Sequence, residues 1–147
     1  FTAPTAVSKL PPARQLEALR RAAERGGVRE QLLYGVGLQR VGRPVSAARV
    51  FDQAAQRSAD DVQAQVAGAV GAFDKPAPER AFGRLGPLSK TYPTEPSVRF
   101  HLGVLLLWTG RIQGAERQFR LASTAQPGSP LAREADRYLD TIRGARS

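Results

Sequence analysis

The residues that could support acid–base, nucleophilic or metal chemistry are few and scattered. The 147-residue chain has no cysteine and a single histidine, His101. This composition leaves no thiol nucleophile, no disulfide and no multi-histidine metal site. A lone histidine without a nucleophile beside it does not form a catalytic pair, and it is more often accommodated by packing on its helix. We therefore predict a protein that is not an enzyme and that has no catalytic residues, no metal site and no cofactor.

The acidic residues and one glycine pair have structural interpretations as well. Asp60 and Asp61 fall between predicted helices, where a carboxylate caps a helix N-terminus. The Gly-Val-Gly sequence at 35–37 lacks the preceding strand and the further glycine of a dinucleotide-binding loop. Four other acids are expected on solvated helix faces, some of them paired with arginines at helical spacing: Glu116, Glu134, Asp136 and Asp140.

Small and apolar residues recur every 34 positions along the chain. Gly35, Ala69 and Gly103 mark the repeat. An alanine follows twelve residues after each of them, and a large apolar residue follows sixteen residues after each. A period of roughly 20–50 residues is typical of helical solenoids and similar arrays. The alanines are Ala47, Ala81 and Ala115, and the large residues are Phe51, Leu85 and Phe119.

Each copy of the repeat has the signals of a helix, a turn and a second helix. In the third copy, Pro96 opens the first helix, Gly110 supplies the turn, and the second helix ends before Pro127. Gly42 stands at the turn of the first copy and Pro76 at that of the second. Because the recurring residues are small, we expect them to face the alanines at close crossings of antiparallel helices.

This pattern resembles the tetratricopeptide repeat family over residues 28–129. The aromatic residue that the family often has three positions before its Leu-Gly pair is replaced here by Gln31, Gln65 and Arg99. The third copy is the most similar, with Leu102-Gly103, Ala115, Phe119, Ala122 and Pro127 at the family's positions.

The resemblance implies an all-α fold, a right-handed superhelical stack of three helix–turn–helix repeats. An extra N-terminal helix and a C-terminal capping helix flank the stack, since solenoids need covered ends. The predicted organisation is a linker at 1–11, the N-terminal helix at 12–27, repeats at 28–61, 62–95 and 96–129, and the capping helix at 130–147.

The family's geometry also implies a binding groove, because the first helix of each repeat lines its concave face. The groove residues lie at i, i+4 and i+7 of each first helix, with two more from the third copy. They are Leu32, Val36, Gln39, Val66, Val70, Phe73, Phe100, His101, Val104, Leu107 and Trp108.

Most of these groove residues are apolar, and the basic clamp with which some members of the family hold acidic chaperone tails is absent. We therefore expect a non-catalytic scaffold that binds an apolar or amphipathic segment of another protein. Homo-oligomerisation, with a second copy in the groove, is an alternative. In other interpretations the chain's own N-terminal helix occupies the groove, or the terminal helix alone covers Phe100 and Leu107.

The net charge of +9 and the sequence pI of about 11.2 raise nucleic acid and anionic membranes as partners. Acidic residues interrupt the basic clusters, so we expect no specific nucleic-acid binding. A basic nucleic-acid-binding repeat is the less favoured alternative. No uninterrupted apolar run approaches the ~18 residues of a membrane-spanning helix.

The chain contains no methionine and begins at Phe1, so we expect that a preceding segment has been removed. A signal peptide or a membrane anchor would fit, as would plain truncation. We favour a lost signal peptide or anchor, which would place the domain outside the cytoplasm; with plain truncation the domain is expected in the cytoplasm. Membrane contact is expected only through such an anchor. The excess of arginine over lysine, with abundant alanine and glycine, favours a bacterial origin.

Overall fold

The computed structural model describes residues 9–146, and these residues form eight α-helices and no β-strand. The predicted all-α class is therefore confirmed. Most of the predicted linker at 1–11 lies outside the described residues. The helices are α1 (Pro12–Arg25), α2 (Val28–Arg40), α3 (Pro44–Arg57), α4 (Val62–Gly71), α5 (Glu79–Thr91), α6 (Pro96–Trp108), α7 (Ile112–Ala125) and α8 (Pro130–Arg146).

The chain divides into two compact units, with the boundary between residues 72 and 73. In the first unit, α1 packs on α2, α2 on α3 and α3 on α4, and α4 also touches α2. In the second unit, α5 packs on α6, α6 on α7 and α7 on α8, and α8 also touches α6. The boundary falls inside the predicted second repeat, so the two helices of that repeat belong to different units.

In the first unit, helices α2 and α3 meet where Gly35 lies against the ring of Phe51. A β-carbon on Gly35 would overlap this ring, and one on Gly71 of α4 would lie 3.2 Å from the ring's Cδ2. The ring is therefore held between glycines of two different helices. Gly37 faces the other way, toward Leu19 of α1. The Gly-Val-Gly sequence at 35–37 thus serves two helix crossings.

The second unit repeats this arrangement at Gly103 and Phe119. A β-carbon on Gly103 would lie 2.7 Å from Cε1 of the Phe119 ring, and this ring is fully buried. It also stacks on Tyr138 of α8, with centroids 4.8 Å apart and planes 9° from parallel. The expected close crossings are present at both glycines. The atoms nearest Gly103 belong to Phe119, however, and not to Ala115, which is fully buried close by in the same core.

The turns after α2 and α6 have the same geometry, 68 residues apart. Gly42 and Gly110 have φ angles of +77° and +80°, a left-handed conformation that favours glycine. In each turn the glycine N–H and the N–H of the following arginine donate to carbonyls of the preceding helix, at 2.8 to 3.1 Å. This is the paired bonding of a Schellman C-cap, which ends the helix and fixes the turn.

The second repeat lacks this turn because Pro76 stands in the place of the glycine. Proline fixes φ near −65° and has no N–H to donate. The connection from α4 to α5 is longer, covering residues 72–78, and Pro78 lies at the N-cap of α5. Inside α5, Pro87 has no N–H to donate to the carbonyl four residues earlier, and Gly83 and Gly86 lower its helix propensity further.

Two polar side chains that lie 34 residues apart, those of Gln65 and Arg99, bind backbone at the end of the preceding helix. The Gln65 side chain donates to the carbonyl of Ala55 (2.8 Å), and the Arg99 guanidinium donates to that of Ser89 (3.4 Å). The two donors are 34 residues apart, and so are the two acceptors, so the same hydrogen bond recurs in the two units. At the third such position, the side-chain oxygen of Gln31 is buried without a hydrogen-bond donor among the described residues.

Replacing Gly103 with leucine should destabilise the second unit by about 1–3 kcal/mol or more, because the new side chain overpacks against the buried Phe119 ring. Gly83→Leu is the matched control, since a β-carbon at Gly83 meets nothing within 4 Å. Leucine there raises helix propensity and should leave stability unchanged or slightly higher. Urea unfolding followed by circular dichroism measures both. If the two substitutions change the free energy of unfolding equally, the repeat register is wrong.

Candidate functional site

The predicted groove residues differ widely in exposure. Five of them lie in the first unit, between residues 32 and 70, and six in the second, so a single groove through all of them stays a prediction. Leu32, Val66, Phe100 and Val104 are buried, Val36, Val70, Phe73, His101 and Leu107 are half-buried, and Gln39 and Trp108 are exposed.

Phe100 and Val104 belong to the core of the second unit. They pack in one cluster with the buried face of α8, which includes Leu139 and Ile142. The Phe100 ring also meets the ring of Tyr138 edge to face, with centroids 5.8 Å apart. The terminal helix therefore covers Phe100, as one interpretation expected, whereas Leu107 is only half-buried. A partner could reach Phe100 only if α8 moved away.

An open apolar cleft remains in the second unit where the end of α6, the start of α7 and the second half of α8 meet. Its volume is about 500 Å³. Leu107 is the one predicted groove residue that lines it. The other residues of its wall come from α7 and α8: Ile112, Gln113, Tyr138, Thr141, Ile142, Ala145 and Arg146.

An ion pair between a buried carboxylate and a half-exposed arginine fixes the α8 side of this cleft. Glu116 of α7 is only 6% exposed, and its carboxylate lies 2.9 Å from Arg146 and 3.5 Å from Arg120. The expectation that Glu116 lies on a solvated face is wrong, because Arg146 reaches back from the end of α8 and covers it. A buried carboxylate needs such a cation. The pair therefore holds the last turn of α8 against α7.

An aromatic pair stands at the end of α6. The rings of Phe73 and Trp108 are 5.4 Å apart and tilted by 51°, a favourable arrangement for aromatic side chains. Trp108 is nevertheless 50% exposed. Part of the Trp108 side chain is thus accessible to another molecule.

His101 has a structural environment. Its Nδ1–H donates to the carbonyl of the buried Ser97, at 2.6 Å, and its ring meets Phe100 edge to face. Burial lowers the pKa of His101, and the Ser97 carbonyl opposes this only in part. The imidazole is therefore neutral near pH 7, and it acts as a packed hydrogen-bond donor.

Residues 9–146 contain neither a cluster of metal ligands nor a membrane-spanning helix. No group of three histidine, aspartate or glutamate side chains in this range is placed to hold a metal ion. None of the eight described helices combines the length and the apolar character needed to cross a bilayer.

Comparison with known proteins gives no further guide to this site: no family model, no curated protein and no solved structure matches the chain.

The lowered pKa of His101 predicts a pH-dependent stability. Its pKa is below the ordinary value of 6.5 in the folded chain, so the unfolded chain binds more protons between 6.5 and that lower value. The contribution of His101 to the free energy of unfolding is therefore fully present above pH 6.5, and it is lost as the pH falls through this window.

Because His101 is the only histidine, His101→Gln should remove this dependence. Urea unfolding at several pH values measures it, and the single imidazole NMR resonance reports the pKa directly. A midpoint at or above 6.5, or the same pH slope in the glutamine variant, would contradict the assignment.

Proposed function

We propose that this chain is a non-catalytic protein-interaction scaffold that binds an amphipathic segment of another protein, with the apolar cleft of the second unit as the contact site. The observation that carries the proposal is the open apolar wall formed by Leu107, Ile112 and Tyr138 beside a well-packed core. The volume of the cleft, about 500 Å³, falls within the roughly 300–1,000 Å³ typical of ligand sites.

The proposed architecture is a right-handed superhelical stack of three tetratricopeptide-like repeats with a helix at each end. The matching crossings at Gly35 and Gly103, and the matching turns at Gly42 and Gly110, support it. In such a stack α8 follows the third repeat, so the cleft lies where a terminal helix meets the last repeat.

The ligand is proposed to be an amphipathic helix with acidic residues beside its apolar face. An apolar stripe on a helix suits a cleft walled by helices. Charge complementarity selects the acidic flank, because Arg146 at the cleft and Arg120 share a single carboxylate, that of Glu116, and the chain carries a net charge of +9.

Filling the cleft should weaken this binding without unfolding the protein. The probe is a labelled helical peptide with leucines at i, i+3, i+4 and i+7 and glutamates elsewhere. Ala145 is exposed and lines the cleft, so Ala145→Phe should raise the dissociation constant about tenfold, which corresponds to about 1.4 kcal/mol of binding free energy. Fluorescence anisotropy measures the affinity, and circular dichroism checks the fold.

Ala22→Phe, on an exposed position of α1, is the matched control and should not change the affinity. A peptide with lysine in place of glutamate should bind more weakly, and a scrambled peptide should not bind. Equal binding of acidic and scrambled peptides, or no effect of Ala145→Phe, would contradict the proposal. If sedimentation velocity detects a dimer and Ala145→Phe dissociates it, then the cleft binds a second copy of this chain and not a segment of another protein.

A further inference from the structure

Among the described residues, most of the large apolar side chains that are exposed lie beside two glycine turns. Val41 and Val45 flank the turn at Gly42, and Trp108 and Ile112 flank the turn at Gly110. Only Leu121, in the middle of α7, lies elsewhere. These two glycine turns occupy the same position of the repeat, and each carries two exposed apolar side chains, although not at equivalent positions.

Each turn is held in a fixed conformation. The positive φ of its glycine and its two backbone hydrogen bonds of 2.8 to 3.1 Å define the chain path. The side chains on either side therefore project from a rigid tip. Val45 is 74% exposed, Val41 44% and Ile112 37%.

Exposed arginines accompany the apolar residues. Arg40 and Arg43 lie at the first turn and Arg111 at the second. No acidic residue occurs between Gln31 and Phe51, or between Pro96 and Ala115. Both turns are therefore cationic as well as apolar, in a chain whose net charge is +9.

We propose that each of these two turns is a contact element for an anionic lipid surface. The arginines bind headgroup phosphates, while Val41, Val45, Trp108 and Ile112 enter the interfacial layer. Arginines near a membrane surface are attracted to its anionic leaflet, and tryptophan favours the membrane–water interface. This contact is peripheral, and it goes beyond the protein-binding cleft because of these four apolar residues only Ile112 also lines the cleft.

The shape of the turns favours lipid over other partners. A protruding, highly exposed side chain such as Val45 needs a partner that yields around it, and a headgroup layer does so without a preformed pocket. Single-stranded nucleic acid is bound through aromatic stacking, and the first turn has no aromatic residue between Arg40 and Val45.

The single tryptophan makes the test direct. Trp108 is the only tryptophan in the chain, so a blue shift of its emission on adding vesicles reports entry of the second turn into the interface. The vesicles contain about three parts phosphatidylcholine to one part phosphatidylglycerol, with phosphatidylcholine alone for comparison. We expect a blue shift and co-sedimentation with the anionic vesicles only, weakened by about 0.5 M salt.

The first turn is tested by substitution. The double variant Val41→Ser with Val45→Ser should lower the vesicle affinity about tenfold, and Arg40→Gln with Arg43→Gln should lower it similarly. Leu121→Ser controls for loss of an exposed apolar side chain. Arg14→Gln with Arg25→Gln removes the same charge from exposed positions of α1. Both controls should change the affinity less than twofold.

Several outcomes would overturn the proposal. These are no binding to anionic vesicles, binding without a Trp108 shift, or binding that the turn variants and their controls weaken equally. If the turn variants instead lose the acidic peptide while vesicles never bind, the turns recognise protein. The first-turn variants distinguish failure of the turns from failure of the cleft, because Val41 and Val45 do not line the cleft, whereas Ile112 belongs to both.

Discussion

The contact between a glycine on one helix and a phenylalanine sixteen residues later is the constraint on which both units depend. At Gly35 and at Gly103 no side chain fits, because the rings of Phe51 and Phe119 occupy the space of a β-carbon. Each ring also contacts the helix that follows, at Gly71 in the first unit and at Tyr138 in the second. One aromatic residue thus sets the spacing of three successive helices, and interiors packed this tightly tolerate little change in volume.

The functional surfaces follow from this packing. Because each glycine brings the paired helices close together, the chain must reverse within a short turn, and the left-handed glycines at 42 and 110 make that turn possible. Short, rigid turns leave the flanking valine, tryptophan and isoleucine side chains in solvent. The cleft lies where the cover by α8 is incomplete: α8 covers Phe100 but leaves Leu107 and Ile112 partly exposed.

Spacing within the sequence predicts the helices, the turns and the close crossings, since each depends on residues within about one repeat. It does not predict the burial of Glu116, which needs Arg146 thirty residues further on, or which unit takes each helix of the second repeat. The burial of Phe100 stayed ambiguous because an apolar stripe on α6 looks the same whether α8 or a partner covers it. The sequence does not predict the cleft for the same reason: the capping helix is expected to cover Leu107 as well as Phe100, and only the fold shows where that cover ends.

The most direct test of the account is an NMR measurement on the glycine α-protons of Gly35 and Gly103. If each lies against an aromatic ring as described, its resonance should show a ring-current shift. It should also show nuclear Overhauser contacts, to Phe51 for Gly35 and to Phe119 for Gly103. Ordinary helical glycine shifts without contacts to either ring would contradict the repeat register and, with it, the equivalence of the two turns.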